Sequence, residues 1–365
     1  MEFHEILETL CNEYGISGNE SAVASRIIGM IEDYADSYRV DDMGNVIVFK
    51  KGAKTPKKKI LIDAHTDEVG MIVTGFASDG GICFTTVGGV DARVILGRKV
   101  LVGEDRIPGV IGTKAIHMQS EEERKTAVSV DKLYIDIGCS TKEEVEALVE
   151  YGDEICFPAD FGAFGNGCWK GKAIDDRFGC AVMVELIRSE LPCDCWFSFS
   201  VQEEVGCRGA AGSAFSVAPD YAIALEATTA ADLAGVSEPK NVCSLGKGAV
   251  VGFMDRGTIY PRDLYKLCHQ LGAEKGIPVQ TKTMVAGGND ARSIHQAAGE
   301  DHRHFGALPV SALALLRGEG QRSDGGQGSD PGADRKAGRD GIRVKNGGAD
   351  PFCQIRSVFA KRRKR

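Results

Sequence analysis

Residues Ile60-Leu-Ile-Asp-Ala-His65 form a run that is almost wholly apolar up to its last residue. A strand reads that way when both of its faces are covered, as in a parallel-leaning sheet between helices; a strand with one wet face alternates instead. Three more segments fit the same sheet: Asn45–Lys50, Cys195–Gln202 and Tyr221–Leu225. Phe3, Ile6, Leu7 and Leu10 repeat at helical spacing, with Gly15 as a stop signal. Ser17-Gly-Asn-Glu20 opens a second helix with Val23, Ile27, Ile28 and Ile31 on its buried side, and Asp176–Leu191 reads as another.

From about 69 to 163 the texture changes. Short apolar runs are separated by turn signals such as Asp79-Gly-Gly81, Gly88-Gly89, Gly103-Glu-Asp105 and Pro108-Gly109. That spacing suits a small β-barrel or sandwich rather than βα units. The expected fold class is α/β: a mixed, mostly parallel sheet with helices on both faces, interrupted by a small β-barrel insert. The expected divisions are 1–68 and 164–299 for the two parts of the α/β domain, 69–163 for the insert, and 300–365 for a Gly/Arg-rich tail.

Composition sets that last stretch apart. It holds 14 Lys+Arg against 8 Asp+Glu, in a chain whose formal charge is −8, and 11 of the 46 glycines. Such a segment buries too little apolar surface to offset its backbone entropy, so it is expected to be disordered. The acidity of the remainder argues against nucleic-acid binding, leaving the basic run Lys361–Arg365 as the one feature that could support it. No apolar run approaches the roughly 18 residues of a membrane span, so no membrane partner is expected. Twelve cysteines without a CxxC pair, and no N-terminal signal pattern, are expected to be reduced thiols of a cytoplasmic protein.

Four polar clusters fall where open α/β sheets bind ligands, at strand ends and a helix start. They are Ala64-His65-Thr-Asp67-Glu68-Val-Gly70, Lys172-Ala-Ile-Asp175-Asp176-Arg177, Gln202-Glu203-Glu204-Val-Gly206 and Leu225-Glu226. Each alone has a plain structural reading. His65 could be a satisfied core histidine, Asp175-Asp176 a helix N-cap with a first-turn acid, Glu203-Glu204 a solvated loop pair and Glu226 a strand-end charge. Those readings leave unexplained why one imidazole and several carboxylates all end buried strands. Such a cluster repels itself unless cations hold it together. One His with carboxylate oxygens suits Zn²⁺, Co²⁺ or Mn²⁺. A shared carboxylate would serve two ions, and the spare glutamate of the Glu-Glu pair could take a proton from water.

At these motifs, together with Gly287-Gly-Asn-Asp-Ala291, the sequence resembles the tetrahedral, or glutamyl, aminopeptidase family of two-metal exopeptidases, some formerly described as endoglucanases. The resemblance covers residues 1 to about 298, including Val87-Gly-Gly-Val-Asp-Ala-Arg93 and Leu133-Tyr-Ile-Asp-Ile-Gly138 in the insert. It implies that His65 and Glu226 bind one divalent ion, Glu204 the other, and Asp175 bridges them. Glu203 would be the general base, with Asp67 orienting His65 from behind. Glu226 stands where many relatives carry Asp. Asp176 is expected to support its loop, and His295 to lie near substrate without being a ligand. The resemblance further implies peptide substrates and homo-oligomers in which insert-mediated dimers build a dodecamer. Two other readings are a two-metal deacylase of N-acylated amino acids and a catalytically dead assembly subunit.

The family's last metal ligand is a His in a segment like Val-Pro-x-Arg-Tyr-x-His-Ser-Pro, shortly after the Gly-Gly-Asn-Asp-Ala motif. Here the chain reads Gly306-Ala-Leu-Pro-Val-Ser-Ala-Leu-Ala314 instead. Written in synonymous codons and read one base later, that stretch encodes Val-Pro-Cys-Arg-Tyr-Leu-His-Ser with Pro next. The expectation is a single-base frameshift near Ala298–Glu300 that removes this His, leaves the second ion with Asp175 and Glu204, and impairs activity. His302 and His304 are the nearest substitutes in sequence.

Overall fold

A computed structural model gives the fold and describes residues 1–165, 167–237, 240–297 and 306–311. An eight-stranded sheet forms the spine. Its strands in chain order are β1 (Ser37–Val40), β2 (Val46–Lys50), β3 (Ile60–His65), β12 (Cys195–Ser200), β13 (Tyr221–Glu226), β14 (Ala249–Val251), β15 (Val279–Thr281) and β16 (Gly306–Ser311). Their spatial order is β1-β2-β12-β3-β13-β16-β14-β15. β12, β3, β13 and β16 run parallel to one another, as do β14 and β15; β1, β2 and the β14–β16 pair are antiparallel.

Between β3 and β12 the chain leaves the sheet and closes a separate barrel. It comprises β4 (Gly70–Phe76), β5 (Ile82–Val87), β6 (Lys99–Val102), β7 (Ile107–Thr113), β8 (Leu133–Asp136) and β9 (Glu154–Cys156), ordered β4-β5-β8-β7-β6-β9. Each barrel pairing is antiparallel, and the inside is filled by Met71, Val73, Ile82, Val100, Ile135 and Ile155 among others. Three short helices, α3 (Ala92–Ile95), α4 (Glu121–Lys125) and α5 (Lys142–Glu146), decorate it. A two-stranded ribbon, β10 (Gly162–Phe164) and β11 (Cys168–Lys170), returns the chain to the sheet.

The main core lies under helices α1 (Phe3–Asn12), α2 (Ser21–Ile31) and α6 (Ile174–Arg188), against β2, β3, β12 and β13. On the other face α7 (Arg208–Val217) and α9 (Ala291–Ala297) pack through Ala210, Ala214 and Ile294 on Leu61 and Ala222; α8 (Arg262–Lys275) covers β14 and β15. β3 and β13, covered on both faces, are buried along nearly their whole lengths, which is why they are mostly apolar up to their last residues, Asp63 apart.

One element departs from the sequence reading. The α/β sheet runs past residue 299, because β16 enters between β13 and β14; the rest of the stretch set apart as a tail, 300–305 and 312–365, lies outside the described residues. Among the described residues no helix is long and apolar enough to cross a membrane.

Candidate metal centre

The parallel strands all end on one edge, and the polar clusters collect there. His65 is the last residue of β3, Glu226 the last of β13, Glu203-Glu204 follow β12 by a short turn, and Asp175 opens α6. His65 is buried (2% exposed), and its Nε2 lies 3.3 Å from Asp175 Oδ1 and 3.5 Å from Glu226 Oε1. One donor atom from each of the three falls within 4.8 Å of the others. Burial alone would pull the His65 pKa down; hydrogen bonds with Asp175, Asp67 and Glu226 overcome it and raise the value well above normal. The same imidazole holds Asp175 at about 2 against the opposing effect of burial. Glu226 goes the other way, pushed well up by burial and then by the charge of Asp175.

The donor set fits a divalent cation. Imidazole nitrogen and carboxylate oxygens are ordinary ligands of Zn²⁺, Co²⁺ and Mn²⁺. Here the buried His65 and Glu226 meet the exposed Asp175, and among the described residues His65 is the cationic member of the cluster. A divalent ion would supply more charge at that point and leave His65 neutral, able to give its Nε2 lone pair.

Asp67 sits behind His65 and is fully buried. Its Oδ1 is 3.4 Å from His65 Nδ1, which also contacts the Asp67 carbonyl at 3.2 Å. The same carboxylate accepts the backbone N–H of Glu203 (3.0 Å) and Glu204 (3.1 Å) and the Ser17 hydroxyl (2.6 Å). It therefore fixes both the imidazole and the Glu-Glu turn. That turn leaves β12 through Gln202, whose φ of 58° lies in the left-handed region uncommon for residues other than glycine. Burial raises both Glu203 and Glu204 to about 7, partly opposed by His65. Cys207 Sγ, at the start of α7, donates to Glu203 Oε1 at 3.2 Å.

A second layer holds the edge from below. Arg177 has no exposed surface and donates to the carbonyls of Thr66 (2.6 Å), Leu10 (2.6 Å) and Glu13 (3.3 Å). Lys172 reaches Glu68 Oε1 and the Glu13 carbonyl, each at 2.6 Å. These bonds tie the end of α1 to the loop after β3 and the start of α6. Asp176, cis-linked to Asp175, accepts the Gly179 N–H at 3.1 Å, as a loop-supporting residue would. A Cβ at Gly179 would lie 2.3 Å from Asp176 Oδ2, so the helix start needs glycine there.

Several supporting residues escaped the sequence reading. Ser17 and Glu20 look like a helix opening. They do open α2, whose N-cap is Glu20, and beyond that the Ser17 hydroxyl serves Asp67, and Glu20 Oε1 accepts the N–H groups of Gly18 (2.8 Å) and Gln202 (3.1 Å). Asp63 and Asp290 share the Ser200 hydroxyl at 3.3 and 2.8 Å. Asp290, Glu203 and Cys207 form a second cluster with donor atoms within 4.8 Å of one another. The acid in Gly287-Gly-Asn-Asp-Ala291 was the available signal. His295 lies in α9 with Nδ1 2.9 Å from the Ala291 carbonyl; His302 and His304 are outside the described residues.

Two cavities meet at the centre, one of about 810 Å³ and one of about 240 Å³. Asp175 and Glu204 line both, while Glu203 and Glu226 line the smaller.

Residues 44–309 match the family model for the M42 glutamyl aminopeptidases. An aminopeptidase-named protein of Acetivibrio thermocellus is 37% identical over 316 residues, covering 86% of this chain and 90% of its own. Among solved structures, a TET aminopeptidase from a marine sediment thaumarchaeotal archaeon superposes with a TM-score of 0.79 at 35% identity, covering 85% of this chain and 87% of its own. The TET1 peptidase of Pyrococcus horikoshii, described as assembling into a tetrahedron or a large octahedral shell, gives 0.71 at 35% identity over 86% of this chain and 92% of its own.

Proposed function

The chain belongs to the M42 glutamyl aminopeptidase family and is a peptidase of the aminopeptidase class; on that premise we propose that it releases N-terminal residues from peptides with the help of two divalent ions held unequally. The observation that carries this reading is the cluster of the buried His65 and Glu226 with the exposed Asp175, and with Glu204 on the same cavity as Asp175. His65, Asp175 and Glu226 would hold the first ion. Asp175 and Glu204 would hold the second, and among the described residues no third donor joins Glu204 in a cluster.

Ions bound there supply positive charge that polarises the scissile carbonyl and eases deprotonation of water. The chain's own groups do the rest. Glu203, lining the smaller cavity and held at about 7, is poised to accept a proton from the attacking water and pass it to the leaving amine. Asp67 fixes the backbone of Glu203 and Glu204, so the base keeps its place. A carboxylate of the centre receives the free ammonium of the peptide, which restricts attack to the first bond. Zinc, cobalt and manganese all suit the donors. On the frameshift reading, a histidine ligand that the family resemblance implies is missing from the segment after 298.

We also infer self-association towards a closed shell, with dimers formed through the barrel; the Pyrococcus horikoshii relative's assembly into a tetrahedron or a large octahedral shell supports the shell. A cytoplasmic location remains part of the same reading.

The test is ion titration of the purified full chain alongside hydrolysis of aminoacyl p-nitroanilides. One equivalent should bind tightly and a second only at higher free ion, with turnover rising over the second range. Two equally tight equivalents would remove the inequality. Absence of hydrolysis at saturating ion would leave an assembly subunit, and cleavage of N-acylated amino acids alone would identify a deacylase.

A further inference from the structure

Beside the base lies a second donor set that the chemistry above does not use. A carboxylate oxygen of Glu203, the Cys207 sulfur and a carboxylate oxygen of Asp290 lie within 4.8 Å of one another. Cys207 and Asp290 are buried, at 8% and 2% exposed. Their backbones hold them in place. The Cys207 N–H closes the turn onto the Glu203 carbonyl at 2.8 Å, and Arg208 and Gly209 bond back to Gln202 (3.1 Å) and Val201 (3.0 Å). Asp290 leads into α9, where its carbonyl accepts the Ile294 N–H at 3.0 Å.

This set is short of positive charge. Asp290 Oδ2 takes the Ser200 hydroxyl at 2.8 Å, and Asp63 draws on that same hydroxyl. Asp290 Oδ1 is buried with no hydrogen-bond partner among the described residues. Among those residues no basic side chain forms an ion pair with Glu203 or Asp290. A carboxylate oxygen closed off from water and left bare is costly, and a cation is a partner that removes the cost.

The donor types choose the cation. One thiolate with two carboxylates suits Zn²⁺, which can take three protein ligands and leave a fourth position to water, whereas Mn²⁺ favours oxygen donors. Cys207 Sγ is 3.2 Å from Glu203 Oε1, close to the edge of about 3.5 Å that Zn–S and Zn–O bonds span at a tetrahedral angle. The smaller cavity gives a way in, since its wall includes Glu203 and Asn289, the neighbour of Asp290. On binding, the thiol releases its proton to water and the sulfur lone pair forms the bond to the metal. Glu203 then exchanges the S–H donor for the ion, and a carboxylate that neutralises an ion is a poor proton acceptor. We infer that Glu203, Cys207 and Asp290 form an inhibitory zinc site, distinct from the ligands of the centre, that silences the base when zinc is in excess.

The inhibition rests on the aminopeptidase reading but the site does not, so the first arm of the test needs no turnover. Co²⁺ is titrated into the full chain and into Cys207→Ser while near-ultraviolet absorbance is followed. His65, Asp175, Glu204 and Glu226 offer no sulfur, so a thiolate-to-cobalt charge-transfer band reports the new site. The parent should develop that band and Cys207→Ser should lack it. Asp290→Asn should need at least about tenfold more cobalt to reach it, with circular dichroism confirming that both variants fold. No band in the parent, or the same band in Cys207→Ser, would overturn the site and leave Asp290 sharing a proton with Asp63. In the second arm Zn²⁺ is added to the Mn²⁺-loaded chain hydrolysing an aminoacyl p-nitroanilide. Half-inhibition should need at least about tenfold more zinc in Cys207→Ser than in the parent. Equal inhibition of the two would assign the effect to ion exchange at the centre and overturn the inhibitory role. The cobalt band without cleavage of any anilide would keep the site and sink the aminopeptidase reading for this chain.

Discussion

The two sides of the metal centre are built on different supports. On one side His65, Asp175 and Glu226 come from the ends of β3 and β13 and the start of α6, and the fully buried Arg177 ties the chain around them to α1. On the other side Glu203 and Glu204 ride on a turn fixed chiefly by their N–H bonds to Asp67 and by the Gln202–Glu20 contact behind it. The strand-end side presents three donors that already meet; the turn side presents one donor and one base. On the proposed reading, the strand-end side would hold the first ion, and Asp175 with Glu204 would hold a second more weakly.

The largest effect that separates the two sides is removal of the base. Glu203→Gln keeps the size of the side chain and, because the Asp67 bonds run through the backbone, keeps the turn. Turnover should fall by about 10²–10⁴-fold, the usual range for a lost general base, with ion content by mass spectrometry unchanged. If ion content falls with it, Glu203 belongs with the ligands and the division of labour drawn here fails.

Asp67→Asn comes next, and it acts on both sides at once because one carboxylate serves the imidazole and the turn. Ion affinity should weaken by about 10–100-fold, as for other residues that orient a ligand from behind. Turnover at saturating ion should remain depressed because the Glu203–Glu204 backbone loosens. Recovery of full turnover at high ion would confine Asp67 to the imidazole.

The strand-end side was also the legible one. Ile60–His65 and Tyr221–Glu226 are nearly continuous apolar runs closed by a charge, and a polar residue ending such a run announces the ligand edge of a parallel sheet. The barrel was legible from its turn spacing. What supports the turn was not. Ser17 and Glu20 read as a helix opening, which they are, but only the folded chain shows their side chains reaching Asp67 and Gln202, some 50 and 182 residues away in sequence. Asp63 and Ser200 are single polar residues inside apolar strands, indistinguishable in sequence from positions paired locally. β16 was hidden differently. Averaged over the basic, glycine-rich stretch from 300 its six residues vanish, and Pro309 speaks against a central strand because it brings no ladder N–H. Yet Gly306–Ser311 pairs with β13 on one side and β14 on the other.

The smallest effect is a slope of stability with pH in protein stripped of ions. Burial lifts Glu203 and Glu204 from an ordinary 4.5 to about 7, and lifts Glu226 well above 4.5 as well. Between those values the folded chain keeps protons that the unfolded chain has released, so stability falls as pH rises through the window. Asp175, held at about 2, has the opposite sign, but its contribution is complete above its ordinary 3.8 and adds no slope here. His65, raised above 6.5, stabilises fully below that value and is lost only as pH climbs past its folded pKa. The melting temperature of the stripped protein should therefore drop between about pH 5 and pH 7, by roughly 2–4 °C for each kcal/mol released. In the Glu203→Gln, Glu204→Gln double variant the drop should shrink to the share left by Glu226 and by the other acids that burial raises, Asp63, Asp176 and Asp290, and divalent ions should flatten it in the unmodified chain by taking the place of protons at the centre. A slope as steep in the double variant as in the parent would mean that the turn side carries none of it, and the burial ascribed to Glu203 and Glu204 would have to be withdrawn.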